Sequence, residues 1–417
     1  MDVKLAKIIA PNSLYVLVNI FVSSVGFIRS FLFMRWLDNN ELGIISLVQT
    51  VMLFLSLFQI GLVNGGYRIF ALDKAEQQRD INNVLFSYFA LLTGVVLTAW
   101  LILVITGKQI IINNSLMLVA LICGVVTLMM NWLTNTLIGK RLIRDINKIN
   151  LISGLVTLAL MPLIWWWGMI GAVIVLFAQA VVFVGVTLFT HRDLRPTAWN
   201  FDLKLIRYIL SFGFIPFLAG LFVLLNMQVE RWSIAKILGT ASLGEFYLVF
   251  LYATLFVLVP TSLLNIFFPR AIYAYENQQM SMFNSILKKH FVLLLAYLVV
   301  VLLLTIFVMQ PFIDWLLPAH SGNTIYVFYF LPGLVCLILC DPVAIILNSA
   351  VKLKPLLYVG STTVILNILL IICYSRLEIF TLTNMAIIKS IVNGVAFTCY
   401  MLYLGANYDI IFRKKNV

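Results

Sequence analysis

The stretch "RWLDNNELG", from Arg35 to Gly43, separates two long apolar segments and has a counterpart in the second half of the chain. The counterpart is "KILGTASLG", from Lys236 to Gly244, at an offset of 201 residues. Each stretch has a basic residue, a leucine two positions later, and Leu-Gly at its end. One apolar segment further on, Arg68 and Arg270 are 202 residues apart. The sequence therefore predicts two similar halves.

The composition indicates a membrane protein. Of the 417 residues, 63% are hydrophobic and only 11% are charged, and the mean hydropathy is +1.06. A soluble domain has roughly 25% charged residues, so this chain has too few charges to cover a surface that faces water. We therefore expect an all-α polytopic membrane protein.

Apolar segments of about 20 residues define the spans, since that length crosses a bilayer as a helix. We predict twelve of them: 12–34, 42–64, 82–106, 115–138, 149–167, 169–190, 207–229, 243–267, 291–310, 325–349, 355–374 and 380–404. They form an N-terminal six-helix bundle over 1–192 and a C-terminal six-helix bundle over 207–417, joined by a cytoplasmic linker over 193–206. Because six is even, both bundles enter the membrane from the same side, as parallel repeats do.

The basic residues predict the orientation. With a cytoplasmic N-terminus, 21 of the 28 Lys and Arg residues fall in cytoplasmic segments, five fall on the opposite side, and Arg29 and Lys389 lie within spans. This distribution follows the positive-inside rule and predicts that both termini are cytoplasmic. The net charge of +12 is thus explained by topology, and we expect no nucleic-acid partner.

The sequence favours transport over catalysis. The longest predicted connections, near 191–206 and 268–290, are too short for a separate catalytic domain, and no P-loop, zinc-ligand or GxSxG motif has a suitable context. The five cysteines lie inside predicted spans without metal-ligand spacing. The histidines are predicted at loop positions and pair with no nucleophile: His191, His290 and His320. We expect no catalytic residue, no metal and no cofactor.

Two stretches carry a resemblance to a known family. "RSFLFMRWLDNNELGIISLV", from Arg29 to Val48, resembles the beginning of the polysaccharide flippases of the O-antigen, Wzx-type family. "FIPFLAGLFVLLNMQVERWSIAKILGTASLGEFYLV", from Phe214 to Val249, is similar to the seventh and eighth helices of that family. The matching positions are Pro216, Glu230–Arg231, Leu238–Gly239, Gly244 and Tyr247. The family usually has Asp-Arg where this chain has Glu230–Arg231.

The resemblance implies both an architecture and a cargo. The superfamily also contains the lipid II flippases and the MATE drug exporters, and it implies two six-helix bundles around a central cleft that opens alternately to either side. The implied cargo is an undecaprenyl-pyrophosphate-linked oligosaccharide, an O-antigen or capsule unit of polysaccharide or lipopolysaccharide biosynthesis. The implied setting is the bacterial inner membrane, with membrane lipid and other glycan-assembly proteins as further partners, and we expect a monomer.

Charged residues within the spans are the candidate site, because ionisable groups in a membrane are costly and generally face a cavity or a partner. We expect Arg29, Arg231 and Lys389 to bind the pyrophosphate, for which arginine offers two parallel N–H donors. Lys389 lies nine residues past Phe380, about 13 Å deep at 1.5 Å per residue. Asn393 lies one turn further on the same face.

Arg29 has two interpretations. It lies six residues from Arg35, about 9 Å inside the span, and a side chain at that depth can also extend back to the interface. Against this, its helix carries a polar stripe in which we expect Asn19, Ser23 and Ser30 to face the lumen.

Asp341 also has two interpretations. It either neutralises Lys389 as a structural pair, which we favour slightly, or it is a proton or sodium site coupled to transport. Glu230 is the second candidate for coupling or for a charge pair.

Two alternative functions remain open. A MATE-type cation-coupled exporter of small molecules is expected to have a carboxylate in the first bundle, and we find no Asp or Glu well inside the first six predicted spans. A membrane glycan polymerase or ligase is expected to have a sizeable outer loop, which this chain does not show. The particular glycan and the driving force are not predicted.

Overall fold

The computed structural model describes residues 2–71, 75–107, 112–350 and 354–407, and over these residues it contains helices and no strand. In the first half the helices are α1 (Asp2–Trp36), α2 (Asn39–Leu55), α3 (Leu62–Ala71), α4 (Ala75–Ile105), α5 (Asn114–Gly139), α6 (Ile143–Leu160), α7 (Pro162–Trp167) and α8 (Met169–Thr190). In the second half they are α9 (Leu203–Ile237), α10 (Thr240–Glu245), α11 (Tyr247–Glu276), α12 (Met280–Leu304), α13 (Gln310–Leu316), α14 (Thr324–Leu339), α15 (Asp341–Ser349), α16 (Lys354–Arg376) and α17 (Leu382–Ala406). A π-helical turn, Thr305–Met309, connects α12 to α13.

Among the described residues, eleven helical segments are long and apolar enough to cross a membrane. They are Leu17–Trp36, Asn39–Gln59, Gln78–Ile105, Asn114–Gly139, Ile143–Trp167, Met169–Thr190, Thr240–Glu276, Met280–Leu316, Pro318–Ser349, Lys354–Arg376 and Leu382–Ala406. Each matches one predicted span. The remaining predicted span, 207–229, lies within α9, whose 35 residues extend over about 50 Å. The chain is an all-α polytopic membrane protein, as predicted.

The chain forms two compact units, Met1–Leu221 and Phe222–Val417. The first unit includes the predicted linker, 193–206, and the boundary between the units falls within α9.

Each unit has its own core. In the first unit the core surrounds Trp132, whose ring meets Phe70 edge-on at 5.2 Å and whose Nε1 donates to Asn82 Oδ1 at 3.0 Å. In the second unit one core cluster lies between α11, α12 and α15 and includes Ala271, Phe283 and Ile345. The predicted limits of the two bundles, 1–192 and 207–417, stay a prediction.

The internal repeat is visible in the helix bounds. Both α1 and α9 have 35 residues, and their first residues and their last residues are each 201 positions apart. The following helices, α2 and α10, begin at Asn39 and Thr240, again 201 positions apart. The offset read from "RWLDNNELG" and "KILGTASLG" is therefore also the offset of the structural elements.

The hairpin of α1 and α2 and the hairpin of α9 and α10 form their turns in different ways. In the first copy Asp38 Oδ1 accepts a hydrogen bond from Glu41 N at 2.7 Å, and Asp38 N donates to Glu41 Oε2 at 3.3 Å. This is a reciprocal capping box, which satisfies N–H groups at the start of α2. In the second copy the turn is made at Gly239, whose φ of +94° suits glycine because it has no Cβ.

The prediction of a long connection over 268–290 is wrong, because most of these residues are helical. Helix α11 continues to Glu276 and α12 begins at Met280, so only 277–279 form the turn. Polar residues such as Gln, Glu and Lys are good helix formers, so the end of the apolar run did not mark the end of the helix. His290 is consequently not a loop residue but a buried residue of α12, with its ring 5.3 Å from that of Phe267.

Candidate functional site

A buried ion pair in the second unit connects α17 to α9. Lys389 Nζ lies 3.1 Å from Glu230 Oε2, and the exposed fractions of the two side chains are 7% and 8%. Lys389 Nζ also donates a hydrogen bond to the backbone carbonyl of Asn226 at 2.7 Å. Because Asn226 and Glu230 are four residues apart, they lie on the same face of α9. One ammonium group thus joins two consecutive turns of that helix.

A third helix reaches the same point. Asn367, in α16, is buried, and its Nδ2 donates to Asn226 Oδ1 at 2.8 Å. Asn226 therefore accepts hydrogen bonds from both side chains. Its backbone carbonyl accepts from Lys389 and, at 3.4 Å, also from Asn367, while its Oδ1 accepts from Asn367. We call Asn226, Glu230, Asn367 and Lys389 the polar cluster of the second unit. It holds α9, α16 and α17 together by polar contacts in a predominantly apolar protein.

The pair with Glu230 replaces the slightly favoured pair between Asp341 and Lys389. Glu230 lies seven residues before the end of α9, and Lys389 lies seven residues after the start of α17. Both are therefore about 10 Å from these helix ends, which fall on the side predicted to be external. Asp341 is instead the first residue of α15, after a break at Cys340, with Pro342 next to it. An acidic residue suits that position because of the positive end of the helix dipole.

Arg231 lies beside Glu230 but has a different environment. Consecutive helical residues are about 100° apart around the axis, and the Arg231 guanidinium carbon lies 4.4 Å from the centroid of the Phe250 ring in α11. This is a cation–π contact. Arg231 is thus held against α11 while Glu230 is held against α17.

Arg29 belongs to the first unit, in α1, where it is half-buried and its Nε atom is buried. It lies seven residues before the end of its helix, as Glu230 does in α9. Arg29 and Glu230 therefore occupy equivalent positions of the repeat, and they have opposite charges. The three residues predicted to form the polar stripe of α1 are also half-buried: Asn19, Ser23 and Ser30.

Two buried amides lie close in sequence to the polar cluster. Asn393, one turn after Lys389 in α17, is 4% exposed, and Gln228 of α9 is 1% exposed. Within the described part of the chain, Asn393 Nδ2 and both amide atoms of Gln228 have no hydrogen-bond partner. Buried polar groups are normally paired, so these amides retain the capacity to bind a polar ligand.

The sequence had identified the charged members of the site and one of its amides. Lys389, Glu230, Arg231 and Asn393 were all predicted site residues. Asn226 and Asn367 were missed, as was Gln228. The signal for Asn226 was its position one turn before Glu230, since residues four apart share a helix face. No sequence pattern connected Asn367 to Asn226, which are 141 residues apart.

Comparison with known proteins identifies the fold. No family model matches the chain, and no curated protein matches its sequence. A solved structure of a multidrug resistance MATE family transporter of the MOP superfamily matches with a TM-score of 0.77 and 14% identity, over 94% of this chain and 96% of that chain. A MOP superfamily transporter from Pyrococcus furiosus Vc1 matches with a TM-score of 0.66 and 13% identity, over 97% of each chain.

A flippase has the same fold. The structure of the lipid II flippase MurJ matches with a TM-score of 0.70 and 12% identity, over 94% of this chain and 87% of that chain. The protein therefore has the fold shared by MATE family transporters and MurJ, as the resemblance implied.

Proposed function

We propose that this protein is an alternating-access flippase that moves an undecaprenyl-pyrophosphate-linked oligosaccharide, an O-antigen or capsule unit, from the inner to the outer leaflet of the bacterial inner membrane. The observation that carries the proposal is the set of basic residues within spans of a fold shared with the lipid II flippase MurJ. The proposed orientation has both termini in the cytoplasm, as the positive-inside rule predicts.

In this proposal Arg29, Arg231 and Lys389 bind the pyrophosphate. A guanidinium group matches two phosphate oxygens, and Lys389 contributes a compact charge with three N–H donors. Lys389 is paired with Glu230 at 3.1 Å, so the pyrophosphate competes with the Glu230 carboxylate for the ammonium group. The exchange of partners ties cargo binding to the contact between α9 and α17.

The uncharged residues have a complementary role. The amides of Asn393 and Gln228, which lack partners among the described residues, suit hydrogen bonds to sugar hydroxyls. We assign the same role to Asn19, Ser23 and Ser30 in the first unit. Asp341, at the first position of α15, is the candidate for coupling to a proton or to sodium, together with Glu230.

A second candidate function is the export of a small molecule. The MATE family transporter has the higher TM-score, 0.77 against 0.70 for MurJ. Cationic drugs would require a carboxylate to bind them, and among the described side chains of the first unit no Asp or Glu is buried. The charge of the candidate site therefore favours an anionic cargo.

Surface glycan is the measurement that tests the flippase. In a strain that depends on this protein, Arg29→Ala should abolish surface glycan and leave the oligosaccharide on its lipid carrier, while protein abundance stays normal. Arg35→Ala is the matched control, because Arg35 is exposed at the end of the same helix and is expected to retain surface glycan. Normal surface glycan in both Arg29→Ala and Arg231→Ala would refute the proposed binding residues.

The alternatives give different results. If the protein is a MATE-type exporter, its deletion should raise sensitivity to cationic dyes and leave surface glycan unchanged. If it is a glycan polymerase or ligase, the purified protein should change the glycan covalently. A flippase should change only the leaflet in which the lipid-linked oligosaccharide is found.

A further inference from the structure

The connection after α8 is docked onto α4. We call residues 191–202 the strap. Asn82 Nδ2 donates to the carbonyl of Leu194 at 2.8 Å, and Thr197 N donates to Asn83 Oδ1 at 2.9 Å. Further along, Asn200 N donates to Ser87 Oγ at 2.9 Å. Three successive contacts along α4 fix the path of the strap, which is therefore a structured part of the first unit.

A cavity of about 500 Å³ lies between the strap, α4 and α5. Its lining is mainly apolar, with Phe86, Phe89 and Ala90 from α4, Met129 from α5, and Trp199 from the strap. The volume falls in the range of about 300–1,000 Å³ that is typical of ligand pockets.

The helix face that lines this cavity changes from charged to apolar along α4. Arg79, Asn83, Phe86 and Ala90 follow spacings of four, three and four residues, which keep them on one face. Phe86 lies seven residues, about 10 Å, further along the span than Arg79. The face therefore presents a positive charge at one depth, an amide next, and an apolar surface deeper in the membrane.

Arg79 is hydrogen-bonded to a residue that lines the cavity. Arg79 Nε donates to Thr197 Oγ1 at 3.0 Å, and Thr197 is part of the cavity lining. Arg79 is exposed, and it makes no ion pair with any carboxylate that the structure describes. Its guanidinium group has further N–H donors beyond Nε, which suit a phosphate oxygen.

Exposed aromatic residues of the strap indicate that it lies at the membrane interface. The rings of Trp199 and Phe201 stack at 6.5 Å, and Trp199 is 74% exposed. Tryptophan is enriched where the headgroups meet the hydrocarbon. The side of the membrane with Arg79 is also the side on which most of the basic residues are predicted.

We propose that this cavity is a binding site for an anionic phospholipid, with an acyl chain between Phe86, Ala90 and Met129 and the phosphate at Arg79. The order of charge, amide and apolar surface along α4 matches the order of phosphate, glycerol ester and chain in such a lipid. The site lies within the first unit and does not depend on the transported cargo. It assigns a lipid-binding role to the strap.

The test uses the full chain in phosphatidylethanolamine vesicles that contain a minor fraction of a photoactivatable probe. The probe is either phosphatidylglycerol or phosphatidylcholine, each with a diazirine in the acyl chain, and labelled residues are mapped by mass spectrometry. We expect phosphatidylglycerol to label the segments around Phe89 and Met129 about tenfold more than phosphatidylcholine. Both lipids carry a phosphate, but the choline ammonium offsets its charge and is repelled by Arg79.

Two variants with matched controls make the test specific. Arg79→Gln should remove the preference for phosphatidylglycerol, whereas Arg144→Gln, at another exposed arginine on the same predicted side, should retain it. Ala90→Trp should fill the cavity and abolish labelling there, whereas Leu91→Trp, at a residue that is 52% exposed, should not.

Three outcomes would overturn the proposal. These are equal labelling by both probes in the wild type, labelling confined to residues outside the cavity, and unchanged labelling in Ala90→Trp. Displacement of the probe by undecaprenyl phosphate, but not by unlabelled phosphatidylglycerol, would assign the cavity to a polyprenyl carrier and would equally refute a phospholipid site.

Discussion

Lys389 Nζ lies 3.1 Å from Glu230 Oε2 and donates a hydrogen bond to the carbonyl of Asn226. Both side chains are buried, and a buried pair stabilises a fold only in combination, since each charge alone bears a large desolvation cost. Glu230 also occupies the repeat position of Arg29, so the second half has an acidic residue, paired with Lys389, at the position where the first half has a basic residue.

The ion pair should show strong energetic coupling. Lys389→Met leaves the Glu230 carboxylate buried without its partner, and we expect it to destabilise the protein by about 3–5 kcal/mol. The double variant Glu230→Met with Lys389→Met removes both charges and should regain most of that loss, because a well-packed apolar pair is often as stable as a buried ion pair. The measurement is thermal unfolding, in one detergent, of the wild type, Glu230→Met, Lys389→Met and the double variant. The four stabilities together give the coupling energy between the two residues.

The double variant also separates stability from binding. If Lys389 binds the cargo, surface glycan should be lost in the double variant even though it is folded. Lys236→Met, at an exposed lysine near the end of α9, is the control and should change stability by about 0.5 kcal/mol or less. Independent, additive effects of the two single substitutions would show that the pair has no structural role.

The backbone of α9 lies close to the turn before α3, and we therefore expect a larger residue at this contact to destabilise the protein. A Cβ at Gly213 would lie 1.9 Å from Gly61 O, whereas a Cβ at Gly220 on the same helix would meet nothing within 4 Å. Gly213→Ala should therefore cost at least about 1–3 kcal/mol, the usual range for overpacking. Gly220→Ala should be neutral or stabilising, since alanine is the better helix former. Equal thermal stability of the two variants would show that this contact is absent in the membrane.

The sequence predicts the spans and the depth of Lys389 because both depend on hydrophobic length alone. It did not predict that Glu230 is the partner of Lys389, because the seventh span was expected to end at 229. Helix α9 continues to Ile237, and this places Glu230 well inside the helix. The length of an apolar run does not define the helix end when good helix formers follow it.

The docking of the strap shows a second limit of sequence interpretation. Residues 193–206 have the composition of a polar, basic linker, yet Thr197 is held by Asn83, which lies 114 positions earlier. Such contacts between side chain and backbone depend on the folded path of both segments. The break at Cys340 is a third limit, because the sequence predicted one continuous span over 325–349. Pro342 lies in the first turn of α15, a position that suits proline.

Release of the strap should expose a protease site between the two halves. Asn83→Ala removes the acceptor of Thr197 N and the donor to Thr197 Oγ1. We expect faster trypsin cleavage after Arg192, which belongs to the strap, whereas Arg195 is followed by Pro196 and resists trypsin. Asn277→Ala, which removes a hydrogen bond of a different turn, should leave the cleavage rate unchanged. Equal rates in both variants would mean that Asn83 does not hold the strap.

Asp193 makes the beginning of the strap sensitive to acid. Its carboxylate lies 2.6 Å from Lys140 Nζ. Partial burial acts to raise the pKa of Asp193, but the hydrogen bond and charge of Lys140, together with a backbone hydrogen bond and the charge of His191, outweigh it, and the pKa is lowered. Because the folded pKa is below the unfolded value of about 3.9, the stabilisation is fully present above about pH 4. It is lost as the pH falls through the lower folded pKa.

Hydrogen exchange measures this loss directly. Asp193 is 60% exposed, so solvent screening limits the contribution to about 1 kcal/mol or less, which is at most about fivefold in amide protection. Between about pH 5 and about pH 3, protection of the amides of residues 191–195 should fall in the wild type, after correction for the intrinsic exchange rate. In Asp193→Asn the protection should be lower at the higher pH and should not change further on acidification. A wild-type decrease that persists undiminished in Asp193→Asn would assign the sensitivity to another group.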